Sequence, residues 1–111
     1  MNEIIKGTSA VVTGTIVSNL DVGFKPTATV FTLYERNSKT IINSRNNTDI
    51  TSSVAADGTL THSLAPADNA MISATADVEI HVIRYKWTYN TTEVGIAEFE
   101  YRVKKDTTPT S

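Results

Sequence analysis

Residues 76–103 read ADVEIHVIRYKWTYNTTEVGIAEFEYRV, and this region carries the clearest strand pattern of the chain. β-branched and aromatic residues dominate both of its halves, and the polar triplet 90–92 separates them, which predicts two long strands joined as a hairpin. The register that pairs Tyr89 with Glu93 sets opposite charges together and bulky side chains over small ones, an arrangement that stabilises antiparallel strands. Its other pairs are Arg84 with Glu98, Trp87 with Gly95, Tyr85 with Ala97, and Ile83 with Phe99.

The apolar residues of the first of these strands change faces at Val82-Ile83. Before that point they are even-numbered, and after it they are odd-numbered. Because successive side chains of a strand alternate, the change predicts a bulge, a twist, or a strand covered on both faces at that point. We expect the odd-numbered face to enter the core, which brings together Ile83, Tyr85, Trp87, Ala97, Phe99 and Tyr101.

The rest of the chain reads as short strands separated by turn residues. Asp57-Gly58 is the strongest turn signal, because this pair readily adopts the positive φ angles of a tight hairpin. Asn37-Ser38 predicts a second tight hairpin. The strands expected from these boundaries are Ser9–Val17, Ala28–Tyr34, Ile41–Ile42, Ile50–Val54 and Thr59–Leu64.

Several details of this pattern predict how the strands are placed. Gly14 marks a possible bulge in the first strand. Phe31 and Leu33 form the better core face of what we interpret as a central strand. The runs 18–27 and 43–49 are rich in turn formers and predict surface loops. The segment 64–70 contains a proline and is expected to cross between the sheets as a single helical turn.

Length and composition favour one small all-β domain. The chain has 111 residues, of which 40% are apolar, enough for a single packed core. It contains no cysteine, so no disulfide stabilises the fold. With no amphipathic helical stretch, the pattern predicts two packed sheets forming an antiparallel β-sandwich of about seven or eight strands. We divide the chain into an amino-terminal arm, 1–8, the β-sandwich, 9–103, and a flexible polar tail, 104–111.

The charge and the amino-terminal segment exclude several classes of partner. The formal net charge is −2, so no bulk field attracts nucleic acid or an anionic membrane, and we expect neither partner. Residues 1–6 lack the basic and apolar regions of a secretory signal, and no apolar run is long enough to span a bilayer. The sequence therefore predicts a protein made and folded in a cytosol.

The residues that could carry chemistry do not form a catalytic pattern. His62 and His81 lie in separate predicted strands, and we interpret both as partly exposed strand residues. Glu98 and Glu100 share a face by their i, i+2 spacing and predict a solvated, salt-linked surface rather than a glycosidase pair. No phosphate-binding loop and no nucleophile motif occur. We expect no enzyme activity, no catalytic residue, no cofactor and no metal.

The aromatic series Tyr85, Trp87 and Tyr89 has three interpretations. Its two-residue spacing sets all three side chains on one face. The parity of Trp87 favours packing in the core over a partner-facing patch, and both over a platform that stacks on sugars.

Five turn and strand segments follow one another along the chain: Phe31–Tyr34, Thr40–Asn46, Asp57–Thr61, Leu64–Asn69 and Tyr85–Tyr89. Together they resemble those of a group of small immunoglobulin-like virion proteins of tailed bacteriophages. In addition, Leu64 with Asp68-Asn69-Ala70 is similar to the corner that precedes the penultimate strand of immunoglobulin domains. The inter-sheet disulfide of antibody domains cannot form here, and Trp87 lies in a different strand from their core tryptophan.

The resemblance implies an immunoglobulin-like fold and a structural role in the virion, with assembly in the host cytoplasm. The leading hypothesis is a capsid decoration, or cement, protein bound to the lattice of the major capsid protein. A neck or tail subunit, bound to other virion proteins or to copies of itself, is the alternative in the same class. A carbohydrate- or receptor-binding module is the alternative of another class. The candidate partner contacts lie in the arm and a polar loop: Ile4, Ile5, Lys6, Arg45, Asn46 and Asn47.

Overall fold

The computed structural model describes residues 3–16, 25–73, 75–89 and 93–105. Seven strands and two short 3₁₀ segments, Thr51–Ser53 and Pro66–Asn69, occur in these ranges. The all-β class expected from the sequence is confirmed. The strands are β1 (Glu3–Ile5), β2 (Ala10–Thr15), β3 (Ala28–Glu35), β4 (Thr48–Asp49), β5 (Thr59–Leu64), β6 (Val78–Tyr89) and β7 (Glu93–Lys104).

The strands form two sheets of unequal size that pack as a β-sandwich. The larger sheet has the order β1-β7-β6-β3-β4, and the smaller sheet contains β2 and β5. The core lies between them because the alternating apolar side chains of both sheets point inward. Its buried apolar residues are Ile16, Phe31, Leu33, Ile42, Ile50, Val54, Leu60, Leu64, Ile83, Tyr85, Tyr101 and Val103.

The β6–β7 hairpin has the register expected from charge and size. All five proposed pairs are confirmed, and the pairing runs without interruption from Val78 with Lys104 to Tyr89 with Glu93. The change of parity therefore needs no bulge. Val82 and Ile83 point to opposite faces and are 2% and 1% exposed, so the strand is covered on both faces at this point. The turn residues 90–92 lie outside the described part of the chain.

β3 is a central strand, as expected. It pairs with β6 on one side and with β4 on the other. Its burial alternates strictly, and Phe31 and Leu33 are on the buried face. The hairpin at 37–38 is also present, because the Glu35 carboxylate accepts hydrogen bonds from the amides of Asn37 and Ser38. The expected strand Ile41–Ile42 is reduced to one bridge between Tyr34 and Ile41.

The prediction of a strand at Ile50–Val54 is wrong. Thr51–Ser53 form a 3₁₀ turn, and Val54 makes only a single bridge to Leu60. The Asp49 carboxylate accepts the Thr51 amide and hydroxyl, which bends the chain out of the extended conformation. The turn also lets Ile50 and Val54 both enter the core.

Two smaller expectations also change. Gly14 makes no bulge, since β2 pairs with β5 residue by residue from Ala10 to Thr15. The end of the loop predicted at 43–49 is β4. Of the loop expected at 18–27, residues 18–24 lie outside the described part of the chain. The Asp57-Gly58 turn is present, with Gly58 at φ 90°.

Both ends of the domain extend into the larger sheet. Glu3–Ile5, expected in an arm, form β1, which runs parallel to β7 and is the one departure from antiparallel pairing in the described sheets. Lys104, expected in the tail, ends β7, and the Lys105 amide donates to the carbonyl of Asp77. Residues 106–111 lie outside the described ranges. The helical crossing is confirmed, because the 3₁₀ segment Pro66–Asn69 leads from β5 towards β6 in the other sheet.

Candidate functional site

The unequal sheets leave one side of the sandwich incompletely covered. On the inner face of β7, Tyr101 and Val103 are buried, whereas Phe99 is 53% exposed. Phe99 was expected in the core because it shares a parity with both. Phe99 points to the expected face of the sheet, but the two-stranded sheet is too narrow to cover this part of β7. We call the region bounded by β2 and the 94–100 stretch of β7 the open side.

A small apolar cleft lies between the sheets at the open side. Its volume is about 70 Å³, and residues of β2 and β7 face each other across it. Trp87 lines the cleft on one side and packs against the core on the other. The indole ring lies over Gly95, where a Cβ atom would overlap it. The expected core role of Trp87 is thus only partly realised. The lining residues are Val12, Thr13, Gly14, Thr15, Ile16, Thr29, Leu60, Tyr85, Trp87, Ala97 and Phe99.

Both strands that bound the open side present a free edge. β7 pairs with β6 along its length, but with β1 only at Arg102, Val103 and Lys104. Within the described residues, the 94–100 stretch therefore has no strand on its outer edge, and β2 has none besides β5. The exposed apolar side chains of these strands are Val11 at 61%, Val94 at 55%, Ile96 at 48% and Phe99 at 53%.

The outer face of the larger sheet is solvated and salt-linked, as expected for Glu98 and Glu100. The Tyr34 hydroxyl donates to Glu98 Oε2 at 2.9 Å, and Arg36 pairs with Glu100 at 3.5 Å. Burial and then the hydrogen bond to Glu98 raise the pKa of Tyr34. Charged groups at this spacing on an open surface contribute little to stability. The part of this face around Glu98 and Glu100 is therefore an ordinary solvent-facing sheet surface.

A buried carboxylate connects the crossing segment to the 43–45 loop. Asp68 is 1% exposed, and its Oδ1 accepts hydrogen bonds from Asn43 Nδ2 and Arg45 Nε, both at 2.8 Å. Its Oδ2 accepts the Ala65 amide at 2.8 Å. Burial alone would raise the pKa of Asp68, but the bonds from Arg45, Asn43 and Ala65 hold it below the usual value. The cluster fixes the loop, so its role is structural.

The six candidate partner contacts fall into two separate groups. Ile4 packs against the core, while Ile5 and Lys6 are exposed on the edge formed by β1. Arg45 turns inward to Asp68, and Asn46 and Asn47 are exposed. Asn47 bonds to Thr32 of β3, so β7 and β6 lie between it and β1. The crossing segment nevertheless links the arm to the loop, because Asp68 accepts the Arg45 hydrogen bond and the neighbouring Asn69 bonds to Gly7 and Thr8.

Both histidines are buried, so the expectation of partly exposed side chains is wrong. His62 is 4% exposed, and its Nδ1 lies 2.8 Å from the Tyr85 hydroxyl. Burial lowers the pKa of His62. His81 is fully buried, with Nε2 at 2.9 Å from Glu79 Oε1, and Glu79 also accepts the Ile72 amide. Glu79 and His81 have odd numbers, like Trp87, and therefore point to the inner face of β6. This alternation is the sequence signal that could have predicted their burial.

The described ranges contain neither a cluster of metal-ligating side chains nor a membrane-spanning helix. In residues 3–16, 25–73, 75–89 and 93–105, no three His, Asp or Glu side chains come together as metal ligands. The same part of the chain contains no helix long and apolar enough to cross a membrane. Comparison with models of protein families, with curated proteins and with solved structures finds no match to this chain.

Proposed function

We propose that this chain is a non-enzymatic structural protein that binds other protein surfaces through the open side of its sandwich. The supporting observation is the exposure of four large apolar side chains, 48–61%, on the two strands that bound this side. Val94 and Ile96 point to the outer face of the larger sheet and Phe99 points to its inner face, so the exposed apolar side chains surround the β7 edge. Apolar exposure of this extent on a small domain is typical of protein-binding regions. Within the described ranges, no further strand pairs with the outer edges of β2 and of the 94–100 stretch, so their backbone groups can hydrogen-bond to another chain.

Within this class, the function we propose is capsid decoration on the lattice of the major capsid protein. The resemblance to small immunoglobulin-like virion proteins of tailed bacteriophages supports this choice. A standard interface offers roughly 800 Å² per partner, which is modest for one contact. Binding to a lattice of identical sites strengthens such a contact through multivalency.

Two alternative functions would use other features of the fold. A neck or tail subunit would use the free edges of β2 and β7 in heterologous contacts that close into a ring. A carbohydrate- or receptor-binding module would use Trp87, which lines the cleft, as a stacking surface.

Copy number in purified phage particles tests the proposal directly. Quantitative mass spectrometry of particles from the phage that encodes the chain should find hundreds of copies, roughly the number of capsid subunits in a lattice. About a dozen or fewer copies would favour a closed ring at the neck or tail. Particles without the protein would contradict both structural roles.

A matched pair of variants tests whether the open side makes the contact. Val11→Asp adds a charge to an exposed position of β2, and Ile41→Asp adds the same charge next to β3, away from the open side. Occupancy on particles should fall about tenfold or more for Val11→Asp, because burying an unpaired carboxylate is costly. It should stay unchanged for Ile41→Asp. Equal occupancy of both variants would contradict binding through the open side.

Acrylamide quenching of the single tryptophan tests the alternative of another class. For the carbohydrate-binding function, a panel of simple oligosaccharides should protect Trp87 from the quencher. For the proposed function, quenching of Trp87 should be moderate and independent of the sugars, because one side of the ring packs against the core.

A further inference from the structure

We propose that two copies of this chain pair through the 94–100 stretch of β7, antiparallel to each other around a twofold axis at Ala97. The two five-stranded sheets then form one continuous sheet. The inference rests on the proposed protein-binding role of the open side, and it names a second copy as the partner of β7. Three observations support it.

The first observation is the free backbone edge. β1 stops opposite Arg102, so the seven residues of the stretch have one side without a strand in the described structure. Every second residue directs its N–H and C=O away from β6. An antiparallel pair of this length forms roughly six to eight hydrogen bonds, close to the number in a typical protein interface.

The second observation is that the side chains of the stretch complement themselves. Pairing about Ala97 sets Phe99 opposite the partner's Gly95, and Ala97 opposite the partner's Ala97. The space over Gly95 is filled by the Trp87 ring of the same chain, so the partner's Phe99 meets the edge of that ring. The exposed ring of Phe99 then reaches the partner's Trp87 at the mouth of the cleft, where two aromatic rings can pack.

The third observation is charge complementarity on the outer face. The same register sets Ile96 opposite the partner's Glu98, so no carboxylate faces another. On β6, Arg84 is next to Glu98 and Lys86 is next to Ile96. Each Glu98 therefore lies between its own Arg84 and, beyond Ile96, the partner's Lys86. Lys86 is roughly 10 Å away across two strand spacings, within reach of two long side chains.

A shift of register would lose this complementarity. Pairing about Glu98 sets the two Glu98 carboxylates face to face, and like charges directly opposite destabilise a strand pair. Pairing about Ile96 removes Phe99 from the partner's Gly95. The axis at Ala97 avoids both, which is why we choose it.

Two substitutions at one exposed position test the register. Ile96 is 48% exposed, so neither Ile96→Glu nor Ile96→Lys disturbs the core of the monomer. Ile96→Glu sets two carboxylates against each other twice in the dimer, and should raise its dissociation constant about tenfold or more. Ile96→Lys sets a cation against Glu98 twice, and should leave the constant unchanged or lower it. Ile41→Glu, away from the open side, is the matched control.

Sedimentation equilibrium of the isolated protein is the measurement, and no virion component is needed. The expected result is a monomer–dimer equilibrium that Ile96→Glu weakens, Ile96→Lys preserves and Ile41→Glu leaves unchanged. A monomer at every concentration would overturn the inference, as would equal loss of the dimer in both Ile96 variants. A monomeric protein that still occupies phage particles would retain the proposed function. A dimeric protein absent from particles would retain the pairing and contradict that function.

Discussion

Removing the charge of Asp68 is the most informative perturbation of this fold. The carboxylate is 1% exposed and accepts three hydrogen bonds at 2.8 Å, from Asn43, Arg45 and the Ala65 amide. Asp68→Asn preserves the shape of the side chain but turns one of its two acceptor atoms into a donor. Either the Ala65 amide or the Asn43 and Arg45 donors then face another donor.

The expected cost is about 3 kcal/mol. Hydrogen bonds to a charged group contribute about 1.5–3 kcal/mol each, and breaking a buried ion pair costs about 3–5 kcal/mol. The Arg45 side chain is 33% exposed and regains water, so we place the cost at the lower end. This is a large part of a typical stability of about 5–15 kcal/mol.

Urea unfolding followed by the fluorescence of the single tryptophan measures this difference. Asp77→Asn, at an exposed position, is the matched control and should change stability by less than about 0.5 kcal/mol. The pKa of Asp68 is lower in the folded chain than its usual value of 3.8. The charge therefore stabilises the fold above about pH 4, and this contribution is lost as the pH falls through the folded pKa. The gap between the parent and Asp68→Asn should narrow in that range. A difference that stays constant with pH, or a loss of stability equal to that of Asp77→Asn, would show that the charge of Asp68 does not stabilise the fold.

Three further results are expected. Trp87→Ala should lower the free energy of unfolding by about 2–3 kcal/mol, less than the loss of a fully buried ring, and Lys86→Ala by less than about 0.5 kcal/mol. Melting followed by circular dichroism measures both, and a Trp87→Ala variant that melts like the parent would contradict the packing of Trp87 against the core. Gly95→Ala should displace the indole of Trp87, which lowers the free energy of unfolding by about 1–3 kcal/mol and shifts the tryptophan emission to the red. Gly14→Ala, which has open space at its Cβ, should leave the emission unchanged. Because burial lowers the pKa of His62 below 6.5, the free energy of unfolding should decrease as the pH falls below that value. His62→Gln should make this dependence on pH less steep, and an equally steep dependence in parent and variant would argue against a buried neutral ring.

The hairpin register was predictable because its determinants are close together in sequence. Three residues separate Tyr89 from Glu93, so once they pair, every later pair follows by counting. The pairing of Arg84 with Glu98 and the contact of Trp87 with Gly95 then favour this register over the neighbouring ones. The inward face of β3 was predictable for a similar reason, since strict alternation records which side is buried.

The errors concern contacts between distant segments. The parallel pairing of β1 with β7 joins residues nearly a whole chain apart, and the three residues of β1 carry no pattern that names their partner. The Thr51–Ser53 turn depends on Asp49 and on a core that accepts both Ile50 and Val54. The burial of His62 depends on a hydroxyl supplied by Tyr85 of the opposite sheet.

The candidate site shows the same division between sequence and structure. The alternation of side chains places Phe99, Trp87 and Tyr101 on one face of the hairpin, because pleating is a property of the strand itself. The alternation says nothing of how far the opposing sheet extends. Tyr101 is buried and bonds to Asn69 of the crossing segment, whereas the two-stranded sheet leaves Phe99 half exposed and Trp87 at the edge of the core. Only the packing of the sheets decides this exposure, because burial depends on the neighbours that the whole chain provides.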